Sequence, residues 1–453
     1  MYERYHLPKK ELPLPERPFA KNAVVRDDRC MNCGRCADQC IYGVHERDAK
    51  DPRVMAEPKA YLCKNCLRCV ENCPQRALTV QYSKEYLSLG GGVWTPTRVN
   101  TIWNESQTGK LPVYGAGYRG MYVGPGYDSM WTDMSEIVRP TRDGIHGREY
   151  ISTSVDLGKR VDHLEFDEKG DLLTEMPKFV ELPLPMMMDV SRSADLRAAP
   201  FEGLIKAAAT LGTYVFFPAG SKLPELPADA MRTLVPVFYA GKTAVETVSS
   251  PSIVEFEMSP AWKEDLKALS ARFPNAIFGA RVEAAEGVEK VAVDLVSDGI
   301  DIIHVLYDEQ GQEKGTKRLA KDSLLAINKA LANASIRESV SIIAAGGLAA
   351  AEHVPKSLIC GADVIVLEQA LKVALGCHGG PSCPVCPMDG SKITTDYAYW
   401  RTVNMVGAWR DQLLEVMGAM GVREARRLRG ETGRAIFYED AERDAFSNIQ
   451  GGA

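Results

Sequence analysis

The chain has 453 residues, 45% hydrophobic and 25% charged, with a formal net charge of −6. This is ordinary globular composition with material for two or three domains, one of which can be a single large α/β barrel. The acidic balance excludes a nucleic-acid-binding class, and apolar runs of only strand length exclude membrane insertion. The N-terminus, MYERYHLPKKELPLPERPF, is charged and proline-rich, so it reads as neither signal peptide nor anchor. Twelve cysteines fall largely in tight C-x-x-C groups with no export signal, a pattern that favours metal ligation in a reducing, cytoplasmic setting over disulfides.

After an extension over residues 1–23, the first chemistry appears in two short runs. CMNCGRCADQC places Cys30, Cys33, Cys36 and Cys40 at C-x2-C-x2-C-x3-C spacing, and CKNCLRCVENCP repeats it with Cys63, Cys66, Cys69 and Cys73. Three thiolates of each run can wrap one face of a cubane while the fourth reaches the partner cluster. That pattern groups Cys30, Cys33, Cys36 and Cys73 around one core, and Cys63, Cys66, Cys69 and Cys40 around the other. Soft thiolates suit soft iron–sulfide cores. A pair of zinc sites is the alternative, but zinc ribbons take two C-x-x-C knuckles per ion, not this doubled run. Residues 24–82 resemble a bacterial ferredoxin with two [4Fe-4S] clusters, apart from Ile41 where that pattern has proline. Strands are expected at Ala23–Val25 and Ala77–Tyr82.

Residues 83–180 are rich in glycine, tyrosine and proline and read as a long irregular linking segment. From there to residue 375, strand-sized apolar runs alternate with helical patterns. The runs cover residues 184–188, 213–217, 234–239, 253–257, 276–280, 301–306, 341–345 and 363–367. Helices are expected over 202–211, 242–248, 260–273, 287–299, 322–334 and 349–359, where apolar residues recur at helical spacing. Eight strands with crossovers predict an α/β fold: a (βα)8 TIM-type barrel behind an N-terminal ferredoxin-like domain. A doubly wound open sheet is the competing architecture.

A barrel carries its site at the C-terminal strand ends, here Asp189, Pro218, Tyr239, Glu257, Arg281, Tyr307, Asp308, Gly346, Gly347 and Glu368. Gly346, Gly347 and Leu348, with a helix expected to follow directly, form a candidate cradle for the phosphate of FMN, with Glu368 beside it. Beyond the last strand, ALGCHGGPSCPVCP holds Cys377, Cys383 and Cys386. Three thiolates can hold a [3Fe-4S] core, and His378 or Cys360 could complete a [4Fe-4S] one. Buried thiols or a zinc site are the alternatives, and Cys360 itself reads as a core cysteine. Residues 376–453 are thus a third cysteine loop and a helical tail.

The order of barrel, AGGL, GADVIVLEQALKVALGC and a cysteine loop resembles the FMN- and iron–sulfur-binding synthase domain of the glutamate synthase family, in the form with a fused ferredoxin domain. PTRDGIHGREYISTSVDLG (140–158) and the tail from Tyr397 to Phe446 are similar to segments of that family, whose N-methylglutamate synthase branch shares the architecture. The resemblance implies FMN and imine reduction of an oxo acid. Departures are numerous. The family's M-S-F-G-S stretch corresponds to Met188–Arg192, its K-P-G-x-G-G loop has no counterpart, and its K-L-V-S-E lysine matches Arg281. Its G-H-D-G-G-T-G-A loop becomes Tyr307–Gln312, and its C-x5-C-x4-C motif is C-x5-C-x2-C here. A glutaminase domain is expected to be absent, Tyr2 being no nucleophile.

Two functions follow. One is an electron-relay subunit of a multi-subunit complex, passing electrons between the ferredoxin-type clusters and a barrel-top cluster or flavin, with other redox subunits, a ferredoxin or a flavoprotein as partners. The other is an FMN-dependent glutamate synthase or N-methylglutamate synthase-type enzyme, in which Arg281 is the candidate catalytic residue holding a carboxylate. A flavin-free docking subunit is the third option.

Overall fold

The computed structural model of the protein describes residues 6–13, 19–111, 124–132, 151–161, 163–192, 198–379 and 393–441. The chain divides into two compact units, Leu12–Thr101 with His378–Ser382, and Met1–Glu11 with Ile102–Cys377 and Cys383–Ala453.

In the smaller unit, strands β1 (Asn22–Arg26) and β2 (Leu78–Tyr82) pair antiparallel, from Asn22 opposite Tyr82 to Arg26 opposite Leu78. Each cysteine run leads into a short helix, Arg35–Gln39 in the first and Arg68–Glu71 in the second. Both runs bend through left-handed residues at matching places: Asn32 and Gly34, then Asn65 and Leu67. A left-handed leucine costs on the order of 1–3 kcal/mol and persists only where its surroundings impose it. The small core is Cys36, Met55, Cys69 and Leu78. Two of its four members are thiols, and Val24, Ala37, Val70 and Val80 pack against them.

The larger unit contains the barrel. Ahead of it lie β3 (Met130–Thr132), β4 (Val155–Gly158) and β5 (Phe179–Leu182). The barrel strands are β6 (Met186–Asp189), β7 (Val215–Pro218), β8 (Leu234–Phe238), β9 (Ile253–Glu257), β10 (Ile277–Glu283), β11 (Ile302–Leu306), β12 (Ser341–Ala345) and β13 (Val364–Leu367). They close in sequence order, β13 pairing back onto β6, and every pair is parallel. All eight expected strands are present and the open-sheet alternative is excluded. Continuous apolar runs suit strands buried on both faces, and β8, β11, β12 and β13 are buried along their whole length.

Helices fall where helical spacing placed them, at Ala198–Leu211, Trp262–Arg272, Val288–Ser297, Ala320–Asn333 and His353–Ile359. The exception is 242–248, which forms turns. Arg272 Nη1 donates to the carbonyls of Thr243 and Val245, and Gly220 N–H donates to that of Glu246, so these carbonyls are bonded outside any helix.

The linking segment is more regular than its composition suggests. Pro96–Thr108 is a helix whose buried residues, Arg98, Val99, Ile102, Glu105 and Ser106, are mostly polar, which hides its periodicity. β4 and β5 form an antiparallel pair, and Ser341 at the start of β12 bonds Gly158 through both its hydroxyl and the Gly158 N–H. β14 (Ala435–Phe437) pairs antiparallel with β3. The helix Thr395–Met420 starts under a cap in which Thr394 Oγ1 accepts from Tyr397 N–H, and it ends at left-handed Gly421. No described helix is long and apolar enough to cross a membrane.

Candidate functional site

The eight N-terminal cysteines gather into two groups of four. Cys30, Cys33, Cys36 and Cys73 line one cavity, and Cys40, Cys63, Cys66 and Cys69 line a second. Each group takes three thiols from one run and the last thiol of the other. Cys33 and Cys66 are exposed, whereas Cys36 and Cys69 are buried. The crossing thiols are held by backbone donors in equivalent places: Val44 N–H lies 3.4 Å from Cys40 Sγ, and Ala77 N–H 3.3 Å from Cys73 Sγ. Asn65 N–H likewise points at Cys63 Sγ, at 3.4 Å.

Burial pushes the Cys69 thiol up to about 11, with Cys63 and Cys40 adding to the effect. It pushes Cys36 up too, against the lowering influence of Arg26. Such thiols stay protonated until something cationic takes the proton's place. Among the described residues, no three His, Cys, Asp or Glu side chains gather tightly enough to hold a single metal ion. The thiols stand around cavity walls, a spread that suits an iron–sulfide core more than one zinc ion.

Nitrogen side chains on these walls include Arg26 and Arg35 in the first cavity and His45, Lys64 and Arg68 in the second. Arg26, the last residue of β1, lines the first cavity; its Nη1 donates to the carbonyls of Met55 (3.0 Å) and Ala56 (3.1 Å). Its Nε and Nη2 are buried and have no hydrogen-bond partner among the described residues. His45 lines the second cavity, 4% exposed, with neither ring nitrogen bonded. Burial, and then the charge of Arg26, holds this imidazole below its ordinary range, so it is neutral.

The barrel interior holds a buried ionic cluster. β10 runs on to Glu283, so Arg281 lies within a strand and not at its end. Its Nε donates to Glu255 Oε2 (2.6 Å), its Nη1 to Ser191 Oγ (2.6 Å), and its Nη2 pairs with Asp189 Oδ2 at 2.9 Å without hydrogen-bond alignment. His304 Nδ1 sits 3.0 Å from Glu255 Oε2, while its Nε2 is buried without a hydrogen-bond partner among the described residues. Arg281, Glu255 and His304 side chains are 0% exposed and Asp189 1%. Burial opposes ionisation of both carboxyls. Even so, Arg281 and His304 hold Asp189 below its usual range, and His304 and Arg281 do the same for Glu255.

Arg281 is thus engaged by the barrel's own side chains at Nε and Nη1, with Nη2 beside Asp189 but without a hydrogen bond. Glu255 and His304 were not singled out from the sequence. The signal was there in IVEFE and DIIHVL, where one charged or titratable residue interrupts an otherwise buried run.

At the ends of β12 and β13, the flavin candidates are arranged differently from expectation. Gly346 and Gly347 both have positive φ, and a Cβ on either would strike the backbone of Tyr307–Gly311. These glycines are required by close packing of two loops. The helix expected after Leu348 begins only at His353 and has seven residues. The N–H groups of Gly347 and Leu348 have no hydrogen-bond partner among the described residues. Glu368, whose carboxyl is pushed up by burial and by Asp189, pairs with Lys372 at 3.8 Å.

Of the third cysteine group, Cys377 is buried just after the helix Gln369–Ala374, and its N–H donates to Lys372 O. Cys383 and Cys386 lie outside the described residues. Cys360 is fully buried with Sγ 3.6 Å from Met130 Sδ, in the core.

A family model described as a conserved region in glutamate synthase matches residues 225–423. That match runs from before β8 to just beyond the helix Thr395–Met420. An archaeal-type glutamate synthase (NADPH) of Dehalococcoides mccartyi is 23% identical, over 89% of this chain and 92% of its own length. An archaeal glutamate synthase (NADPH) of Archaeoglobus fulgidus is 25% identical, over 92% of this chain and 94% of its own. A polyferredoxin-like protein of Methanocaldococcus jannaschii is 36% identical over 70 residues, 16% of this chain and 26% of that one. With the barrel and the cysteine runs, these relatives spanning nearly the whole chain support a divergent member of the glutamate synthase family.

Proposed function

We propose that this protein is an iron–sulfur electron-transfer subunit of a glutamate synthase-like oxidoreductase. The observation that carries this reading is the crossing of the two cysteine runs into two quartets of thiols. Cys30, Cys33, Cys36 and Cys73 would hold one [4Fe-4S] cluster, and Cys40, Cys63, Cys66 and Cys69 the other. Such clusters supply one-electron transfer. The chain's own part is to exclude water behind Cys36, Met55, Cys69 and Leu78 and to aim backbone N–H groups at the crossing sulfurs. Cys377, Cys383 and Cys386 are proposed as ligands of a third cluster, [3Fe-4S] or [4Fe-4S], placed by sequence just after the eighth barrel strand.

The committed state of Arg281 favours a relay over a catalyst that grips an oxo acid at that position. Partners are proposed to be other redox subunits, a ferredoxin or a flavoprotein. Leu164, Phe166, Leu172, Leu173 and Met176 on the excursion between β4 and β5, and Phe179 at the start of β5, support this, being all exposed. Acidic residues interleave there, so a basic-rimmed apolar surface would match it. A reducing cytoplasm is the setting in which these thiols would be kept for metal.

A second reading keeps the family's flavin. What favours it is the pair of unpartnered N–H groups at Gly347 and Leu348, where a phosphate of FMN could be held, with Gly346 and Glu368 beside them. FMN, when bound, exchanges single electrons and delivers a hydride. The two readings separate in one anaerobic preparation. Iron and acid-labile sulfide for two or three clusters with no extractable FMN supports the relay; stoichiometric FMN revives the enzyme. Protein free of iron when made under iron-replete anaerobic conditions sinks both.

A further inference from the structure

Arg26 is the observation that the electron-relay reading leaves unexplained. It ends β1, four residues ahead of Cys30, and its Nη1 is fixed by the carbonyls of Met55 and Ala56. The same side chain lines the cavity of Cys30, Cys33, Cys36 and Cys73. Its Nε and Nη2 are buried and bonded to nothing among the described residues. Two buried, orphaned donors on a half-buried arginine are costly unless something anionic takes them. Exposed acids elsewhere in the unit do pair with arginines, as Asp27 does with Arg29 and Asp51 with Arg53. Arg26 lines the thiol cavity instead. The second cavity carries His45, Lys64 and Arg68 on its wall.

We propose that Arg26 is a potential-setting residue: its guanidinium donates N–H hydrogen bonds to the cluster held by Cys30, Cys33, Cys36 and Cys73 and makes that cluster more easily reduced than it would be without them. This rests on the iron–sulfur reading above. Adding one electron from a one-electron donor makes an already anionic thiolate-ligated site one charge more negative. No bond is made or broken and no proton moves, because arginine stays charged throughout. A fixed cation with donors to sulfur stabilises the reduced form more than the oxidised one, which raises the potential.

The test uses the full chain, purified anaerobically, with iron count and dithionite-poised titrations followed by electron paramagnetic resonance. Arg26→Met is expected to keep its iron and to make one N-terminal cluster at least tenfold harder to reduce, a shift of about 59 mV for one electron. The other N-terminal cluster should move less. Arg26→Lys keeps the charge but loses the fork, so it should fall between the two. Arg53→Met removes an exposed arginine and should leave both potentials in place. A full-iron Arg26→Met protein with wild-type potentials overturns the proposal. Loss of iron in Arg26→Met, Arg26→Gln and Arg26→Lys alike, but not in Arg53→Met, also overturns it, by showing a purely structural arginine. A wild-type chain without clusters refutes the electron-relay reading itself, and the proposal with it.

Discussion

Replacing Arg281 with methionine separates a structural arginine from one kept for a substrate. In the structure its guanidinium lies between Glu255, Asp189 and Ser191, with His304, its neighbour across β10 and β11, meeting the same Glu255 oxygen. Methionine fills similar volume but strands two carboxylates in a fully buried site. Breaking one buried ion pair costs about 3–5 kcal/mol. Protonating a stranded carboxyl at pH 7 costs about 4 kcal/mol, from roughly three pH units at about 1.4 kcal/mol each. Both routes give about 4–5 kcal/mol, or a fall in melting temperature of roughly 8–20 °C for a domain of this size.

The sign of the pH dependence follows. In the wild type both carboxyls are held below their ordinary values, so their contribution is present above the unfolded carboxylate range and is lost as pH falls. In Arg281→Met the stranded carboxyls take up protons more readily folded than unfolded, so the variant gains relative to wild type as pH falls. Thermal melts at pH 7 and pH 5.5 should therefore show the gap narrowing. Glu255→Gln combined with Arg281→Met should cost less than the sum of the singles, since the pair acts as one unit. An Arg281→Met protein melting within about 2 °C of wild type at pH 7 would refute the reasoning, given the shift per kcal/mol expected at this size, and would return Arg281 to the substrate.

Two other expectations are independent of that cluster. Glu105 is fully buried and accepts from Trp409 Nε1 at 2.9 Å; burial raises its carboxyl to about 8. The folded state then keeps a proton that the unfolded chain loses near its ordinary value, so this residue costs stability as pH rises from about 4.5 to 8. At pH 7 the cost is about 3 kcal/mol. Glu105→Gln keeps an acceptor for Trp409 and should be the more stable protein at pH 7, with a flatter pH profile by denaturant melts; a profile parallel to wild type would exclude this. Cys383→Ser should lose the iron of one cluster and leave the N-terminal pair intact by resonance signature; unchanged iron content would remove Cys383 from the ligand set.

The barrel was legible because a parallel strand buried on both faces must be apolar throughout, and eight such runs leave few arrangements. The cysteine runs were legible because a fixed spacing of soft ligands has few other uses. What the sequence hid is of one kind: polar residues performing core duties. Glu255 and His304 sit mid-strand, where only three-dimensional pairing with Arg281 explains them. The helix Pro96–Thr108 hid because Arg98, Glu105 and Ser106 share its buried face. Arg26 belongs to no motif in the sequence, and only its anchorage on Met55 and Ala56 and its place in the cavity wall bring it to notice. The glycines at 346 and 347 suggested a phosphate turn, but their first duty is to let two backbones approach.

Quantifying iron and acid-labile sulfide per chain, with resonance spectra of the dithionite-reduced protein, tests the central claim most directly. Two interacting reduced [4Fe-4S] signals that disappear together with iron when Cys33 and Cys66 are both replaced by serine are the predicted result. Stoichiometric zinc in place of iron, or full iron retained in that double variant, would contradict it.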